Sequence, residues 1–136
     1  MALQFDLRAN PVANIATKPG QRGKRHDIVM HALSKLAPVE RATARERAIS
    51  EVGADWLARK GETAGFGIDP GRLYIDRYER VRIPREDARA VILSTLTFQG
   101  VLTVDQPARF LASVLGGFGA AKAYGCGLML IRRARR

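Results

Sequence analysis

Leu3, Phe5, Leu7 and Ala9 alternate with Gln4, Asp6, Arg8 and Asn10, a period of two that predicts a half-buried strand ending at Pro11. The segment Lys18-Pro19-Gly20-Gln21-Arg22-Gly23-Lys24-Arg25 mixes two glycines and a proline with four basic residues, which predicts an irregular loop. A short helical stretch is expected around Ile28–Leu36. From Val39 the period lengthens, with Ala42, Ile49, Val52, Trp56 and Leu57 recurring at helical spacing. Glu40, Arg41, Arg45, Glu46, Arg47 and Glu51 form a charged face whose opposite signs pair along the helix. Gly61, Gly65 and Gly67 are expected to end this long amphipathic helix, and Pro70-Gly71 to make a turn.

Leu73, Ile75, Val81 and Ile83 take odd positions and Arg72, Tyr74, Tyr78, Arg80 and Arg82 even ones, predicting a strand with a basic, aromatic outer face. Pro84-Arg85-Glu86-Asp87 reads as the turn of a hairpin, and Val91–Val104 as its second strand, with Gly100 marking a bulge or a close backbone approach. Asp105 is placed to cap a helix with Pro107 in its first turn, and Ala108, Leu111, Ala112 and Leu115 to supply its buried stripe. Gly116-Gly117 ends that helix, Leu128-Met129-Leu130-Ile131 reads as a buried strand, and Arg132–Arg136 closes the chain as a basic tail. The order strand, helix, strand, strand, helix, strand predicts an α+β, ferredoxin-like βαββαβ domain with a four-stranded antiparallel sheet and two helices on one face. In that topology the last strand lies beside the first, so the two basic ends of the chain are expected to meet on one edge of the sheet.

The 136 residues make one domain. With 46% hydrophobic and 26% charged residues the chain is globular, so its formal charge of +10 belongs to a folded surface. Residues 1–39 carry six basic against two acidic side chains and residues 91–136 six against one, whereas 40–66 are balanced and 67–90 nearly so. Such an imbalance points to a polyanion. No apolar run approaches the roughly 18 residues of a membrane span, no secretory signal opens the chain, and no segment joins a basic face to a continuous exposed apolar one. Nucleic acid is therefore favoured over a membrane, and a cytoplasmic location is expected. A single cysteine, Cys126, excludes an intrachain disulfide and a cysteine metal cluster.

The glycine stretch from Gly116 to Gly127 carries two readings. Its glycines let the backbone approach an anion, with Lys122 supplying charge, or they simply make a tight helix-to-strand connection. It lacks the Gly-Lys-Ser/Thr ending of a P-loop and the third glycine of a dinucleotide fingerprint. His26 and His31 lie five apart and are joined by no ligand cluster, so neither a metal nor another cofactor is expected. An exposed loop histidine is the preferred reading of His26 over a general acid or base, and packing the preferred reading of Cys126 over nucleophilic catalysis. Tyr74 and Tyr78 beside Arg72, Arg80 and Arg82 would suit base stacking and phosphate contacts, with a solvated charged face as the plainer reading.

The run Thr97-Phe98-Gln99-Gly100-Val101-Leu102-Thr103-Val104, followed by a helix and then by Gly117-Phe118-Gly119-Ala120-Ala121-Lys122-Ala123-Tyr124-Gly125-Cys126-Gly127-Leu128, resembles the C-terminal signature of the CasE family. These are the endoribonucleases that process CRISPR precursor RNA in type I-E systems. Phe5–Pro11 with the following Lys24-Arg25 is similar to the segment that opens that family's second domain. The likeness is in the two ends, and from about Ala32 to Ala90 it extends mainly to layout.

The resemblance implies two ferredoxin-like domains of the repeat-associated mysterious protein superfamily, of which residues 1–136 resemble only the second. It implies metal-free cleavage, in which the RNA's own 2′-hydroxyl attacks the adjacent phosphate below a hairpin and leaves a 2′,3′-cyclic phosphate. The family's catalytic histidine and tyrosine belong to the first domain. His26 and His31 do not match them, so no catalytic residue carries over and the chain alone is expected not to cleave RNA at a useful rate.

What the resemblance carries over is binding. The residues are Lys24 and Arg25, Arg77, Arg80, Arg82 and Arg85 of the hairpin, and Gly117, Gly119, Lys122, Gly125 and Gly127 of the glycine loop. Expected partners are a CRISPR repeat RNA stem-loop, the other subunits of the type I-E Cascade complex, and the missing N-terminal domain. The alternative is a structural module that docks on a partner subunit with no direct RNA role.

Overall fold

The computed structural model describes residues 1–16 and 18–135. Its elements run β1 (Ala2–Ala9), β2 (Val12–Ile15), β3 (Lys24–Asp27), α1 (Ile28–Ser34), α2 (Pro38–Ala64), β4 (Phe66–Arg85), β5 (Ala88–Val104), α3 (Pro107–Gly116) and β6 (Met129–Arg133). Strands β4, β5, β1 and β6 form one sheet in that order, with every described pairing antiparallel. This is the ferredoxin-like arrangement the sequence pattern predicts. Outside that arrangement stand α1, the short helix expected near Ile28–Leu36, and a separate two-stranded sheet of β2 and β3 that the sequence pattern did not predict. The basic loop is correspondingly shorter than expected, because Lys24 and Arg25 belong to β3 and pair with Ile15 and Asn14.

The alternation in β1 does what its period requires. Leu3, Phe5, Leu7 and Ala9 are buried on one face of the sheet, in one core with Leu96, Phe98 and Leu102 of β5, Trp56 and Leu57 of α2, and Phe110 of α3. Helix α2 starts with Pro38 in its first turn and closes at Gly65, which takes the left-handed conformation and donates its N–H to the Gly61 carbonyl at 2.8 Å. Only its second half is buried, through Gly53, Trp56, Leu57, Gly61 and Ala64, whereas Val39 and Ala42 of the predicted stripe are exposed.

Helix α3 is rotated from its predicted setting. Phe110 is its buried residue, edge-on to Phe66 with ring centroids 5.7 Å apart, while Leu111 and Leu115 are 60% and 79% exposed. A phenyl group that fills the gap above Phe66 decides the rotation, against the smaller gain from the leucines. Its N-cap is Gln106 rather than Asp105, and both of their N–H groups donate to the Gly65 carbonyl, tying α3 to the end of α2.

Strand β4 begins at Phe66, so Pro70-Gly71 is an irregularity within it, lying between Ile68 and Leu73. The expected close approach at Gly100 is present there, since a Cβ on Gly100 would lie 2.4 Å from the Arg72 carbonyl oxygen. A second irregularity, between Asp76 and Glu79, changes the face of the residues after it as far as Ile83, where a third begins. Leu73 and Ile75 pair with Gly100 and Phe98 on the core side. Beyond the bulge Arg80 and Arg82 pair with Ser94 and Ile92, which are in phase with Leu96 and Phe98. Arg80, Arg82 and Tyr78 therefore leave the outer face on which strict alternation puts them with Tyr74. From Glu79 to Thr95 the two strands pair only with each other and extend past β1 as an arm roughly 20 Å long.

Candidate nucleic-acid interface

Where β1 ends, at Ala9–Pro11, three parts of the chain converge. Arg25 on β3, Arg80 on the arm, and Ala121 and Tyr124 of the glycine stretch line one open groove of about 530 Å³, with Asn10 and Ser94 also at its wall. Asn10 is buried and donates from Nδ2 to the Ser94 carbonyl at 2.6 Å, fixing the end of β1 against β5. Neither Arg25 nor Arg80 makes an ion pair among the described residues, whereas Arg8, Arg47 and Arg72 pair with Glu79, Glu51 and Asp69. Two unneutralised guanidiniums beside an exposed tyrosine make a surface that attracts phosphate and accepts a stacked base.

The other predicted residues are distributed around this groove. Lys24 is exposed on β3. Arg82 and Arg85 lie farther out on the arm, exposed. Arg77 sits at the bulge with φ 51° and lines a different, smaller depression of about 250 Å³ with Tyr74, Asp76, Thr97 and Gln99, on the sheet's open face. Lys122 is exposed in a single 3-10 turn, Lys122–Tyr124, with its aliphatic stem 3.4 Å from where a Gly117 Cβ would stand.

The glycines of this loop divide. Gly127 accommodates the chain itself: a Cβ there would meet the Phe118 carbonyl oxygen at 2.4 Å, and its N–H donates to the Arg8 carbonyl at 2.8 Å. Gly119 packs against Trp56. Both fit the tight helix-to-strand connection. Gly125 has open space around it. Cys126 is buried in the same connection, and burial pushes its thiol above the ordinary value, in keeping with a packing role.

Sequence reasoning missed the groove's inner support. Asp27 caps α1, its Oδ1 accepting from the Val29 and Met30 N–H groups at 2.8 and 3.2 Å, while its Oδ2 accepts a hydrogen bond from the Tyr78 hydroxyl. Burial first, and then the Asp27 carboxylate, push the Tyr78 phenol well above its usual range, against the smaller opposing pull of the Ser94 hydroxyl and of Arg45. Tyr78 thus remains a protonated donor. The Arg45 guanidinium lies 5.3 Å from its ring centroid. An aspartate just before the apolar start of α1 was a legible capping signal; its bond to a residue 51 positions away was not.

His26 also departs from expectation. It is half-buried on β3, with its ring 5.5 Å from that of His31 and Nε2 buried without a partner. No group of three or more metal-ligating side chains occurs among the described residues, and no helix there is long and apolar enough to cross a membrane.

The chain is thus a ferredoxin-like α+β domain with a basic groove at one end of its sheet and a projecting arm beside it. A family model described as "CRISPR associated protein" matches residues 1–133, and the chain belongs to that family, in its CasE (Cse3) group. The chain is 30% identical over 125 residues to the CRISPR-associated endoribonuclease Cse3 of Thermus thermophilus, covering 85% of this chain and 58% of that protein. To the Cascade subunit CasE of Escherichia coli K12 it is 27% identical over 127 residues, covering 93% and 56%. It superposes on Thermus thermophilus Cse3 bound to an RNA representing a pre-cleavage complex with a TM-score of 0.66 at 28% identity, over 97% of this chain and 53% of that one. The chain spans a little over half the length of the relatives it matches.

Proposed function

We propose that this chain binds the stem-loop of a CRISPR repeat RNA, largely through its phosphates, as the RNA-holding part of an endoribonuclease that processes precursor CRISPR RNA in antiviral defence. The observation that carries the reading is the groove, in which unpaired Arg25 and Arg80, 55 positions apart in sequence, share one wall-lined surface with Tyr124. Its membership of the CasE group and its likeness to RNA-bound Cse3 support the same conclusion. Arg82 and Arg85 extend the contact along the arm, and Lys24 and Lys122 flank the groove. Side chains enter the deep, narrow groove of an A-form stem only near its end, which fits a projecting arm better than a broad face. Cleavage chemistry belongs, in this reading, to a first ferredoxin-like domain of the kind the family resemblance implies, and the assembly works in the cytoplasm with the other Cascade subunits.

Binding should be steeply salt-dependent, log K falling by about 0.7–0.9 per log unit of salt for each phosphate contact. Fluorescence anisotropy with a labelled repeat hairpin should show the Arg25→Ala/Arg80→Ala variant binding at least about tenfold more weakly, with a shallower salt slope. Unchanged affinity would remove the groove from the RNA surface. The alternative of a protein-docking module draws on β6, an edge strand carrying exposed Leu130 and Ile131. Size-exclusion with the repeat RNA distinguishes the two, because a docking module would leave the RNA in the unbound peak.

A further inference from the structure

Resting on that reading, we propose that Tyr78 and Asp27 are positioning residues, a hydrogen-bonded clamp that locks the β2–β3 hairpin to the arm and thereby holds Arg25 and Arg80 in the same groove. The geometry is one of matched spacing. Asp27 lies two residues after Arg25 on β3, and Tyr78 two residues before Arg80 on β4. Residues i and i+2 of a strand share a face. The Asp27–Tyr78 bond therefore ties β3 to β4 at a point two residues from each arginine, and both arginines line the one groove. The register supports this, since Arg80 pairs with Ser94 on the same side of β5 as Leu96, the side on which Tyr78 packs against the core.

The clamp has work to do. Arg25 and Arg80 line one groove with Asp27, whose carboxylate oxygens are already engaged by the first turn of α1 and by the Tyr78 hydroxyl, so the like charges of the two guanidiniums oppose their approach. That hairpin is short and forms its own sheet, with no ladder to the main one. The Asp27 carboxylate is fixed from its other oxygen by the first turn of α1, and the Tyr78 ring is fixed by Arg45 above it and the core beside it. Each partner is thus held before the bond forms, so the bond transmits position instead of spending its energy on ordering two mobile side chains. The bulge at Asp76–Glu79 is part of the device, because without its extra residue Tyr78 would face away from β3.

The test is Tyr78→Phe, which keeps the ring and removes the donor. On the full chain, with a fluorescein-labelled hairpin from the CRISPR repeat, affinity should fall about three- to tenfold, the reach of one hydrogen bond, and the salt slope should fall by about 0.7–0.9 for each guanidinium that leaves its phosphate. A merely structural role for the hydroxyl would lower the melting temperature and leave the slope alone. In the Arg25→Ala/Arg80→Ala background Tyr78→Phe should have no further effect on binding, since its influence runs through those two side chains. An unchanged slope for Tyr78→Phe, or an equal loss in that background, overturns the clamp. If Tyr78→Phe does not fold, Asp27→Asn decides by the same two readouts, because asparagine preserves the helix cap while weakening the bond to Tyr78. If the double arginine variant binds normally, it is the groove itself that fails, so the two ideas fall separately.

Discussion

Gly127 stands where the backbone of the glycine stretch crosses closest to itself. It sits at φ 90°, and an added Cβ would meet the Phe118 carbonyl oxygen at 2.4 Å. Neither atom belongs to a flexible side chain, so the backbone itself must move. Gly127→Ala should destabilise the fold by at least about 2 kcal/mol in denaturant titrations, before any effect on RNA is considered. Glycine in this stretch was legible in the sequence as a need for backbone freedom. Whether the freedom served a ligand or the chain was not, because that depends on which atoms stand opposite, and for Gly119 and Gly127 these are Trp56 and Phe118. The same limit applies to Arg25 and Arg80. Their charge was plain from the sequence, but their lack of an acidic partner is a property of the space around them.

At the scale of elements the sequence located what existed better than which way it faced. The predicted strands at β1, β5 and β6 and the long helix are all present, β1 and the helix on their periods and β5 and β6 on β-rich or apolar runs. But β6 is an edge strand with Leu130 and Ile131 exposed and only Met129 buried, not the buried strand expected, because no further strand or helix covers that edge among the described residues. Orientation went astray in α3, where Phe110 takes the core position assigned to Leu111 and Leu115, and in β4, where one extra residue inverts the pattern after Asp76. Helix α2 shows a third case: its stripe is real over only half its length. Leu57→Ala should cost about 2–5 kcal/mol, whereas Val39→Ala, on the solvated first turn, should stay within about 0.5 kcal/mol, a contrast that thermal or urea unfolding reads directly. Hydrophobic spacing could not separate these halves, because the first packs only where a neighbouring element happens to reach.

For the whole molecule, the expectation that the two basic ends meet needs amending. Strand β6 does lie beside β1, but the pairing is antiparallel, with Arg133 opposite Leu3 and Met129 opposite Leu7. Arg132 and Arg133 therefore lie beside the start of β1, while Lys24 and Arg25 lie beyond its end. Position, and not net charge, should then govern binding. Replacing Arg132 and Arg133 by serine removes the same formal charge as the Arg25/Arg80 variant, yet it should reduce hairpin affinity less than threefold at about 0.15 M salt, where charges more than about 8 Å from a phosphate are largely screened. Equal losses from the two variants would return the explanation to bulk charge.

The sequence by itself determined the class of the fold, through the order and period of its elements, and the sign of its surface charge, through an excess of arginine and lysine on a chain with a globular composition. Tertiary structure alone decided which of those cations act together. The groove forms from residues near positions 25, 80 and 124, joined by a bulge, a helix cap and one tyrosine–aspartate bond. Contacts of that separation leave no period in a sequence, because neither partner's local pattern depends on the other until the sheet has brought them side by side.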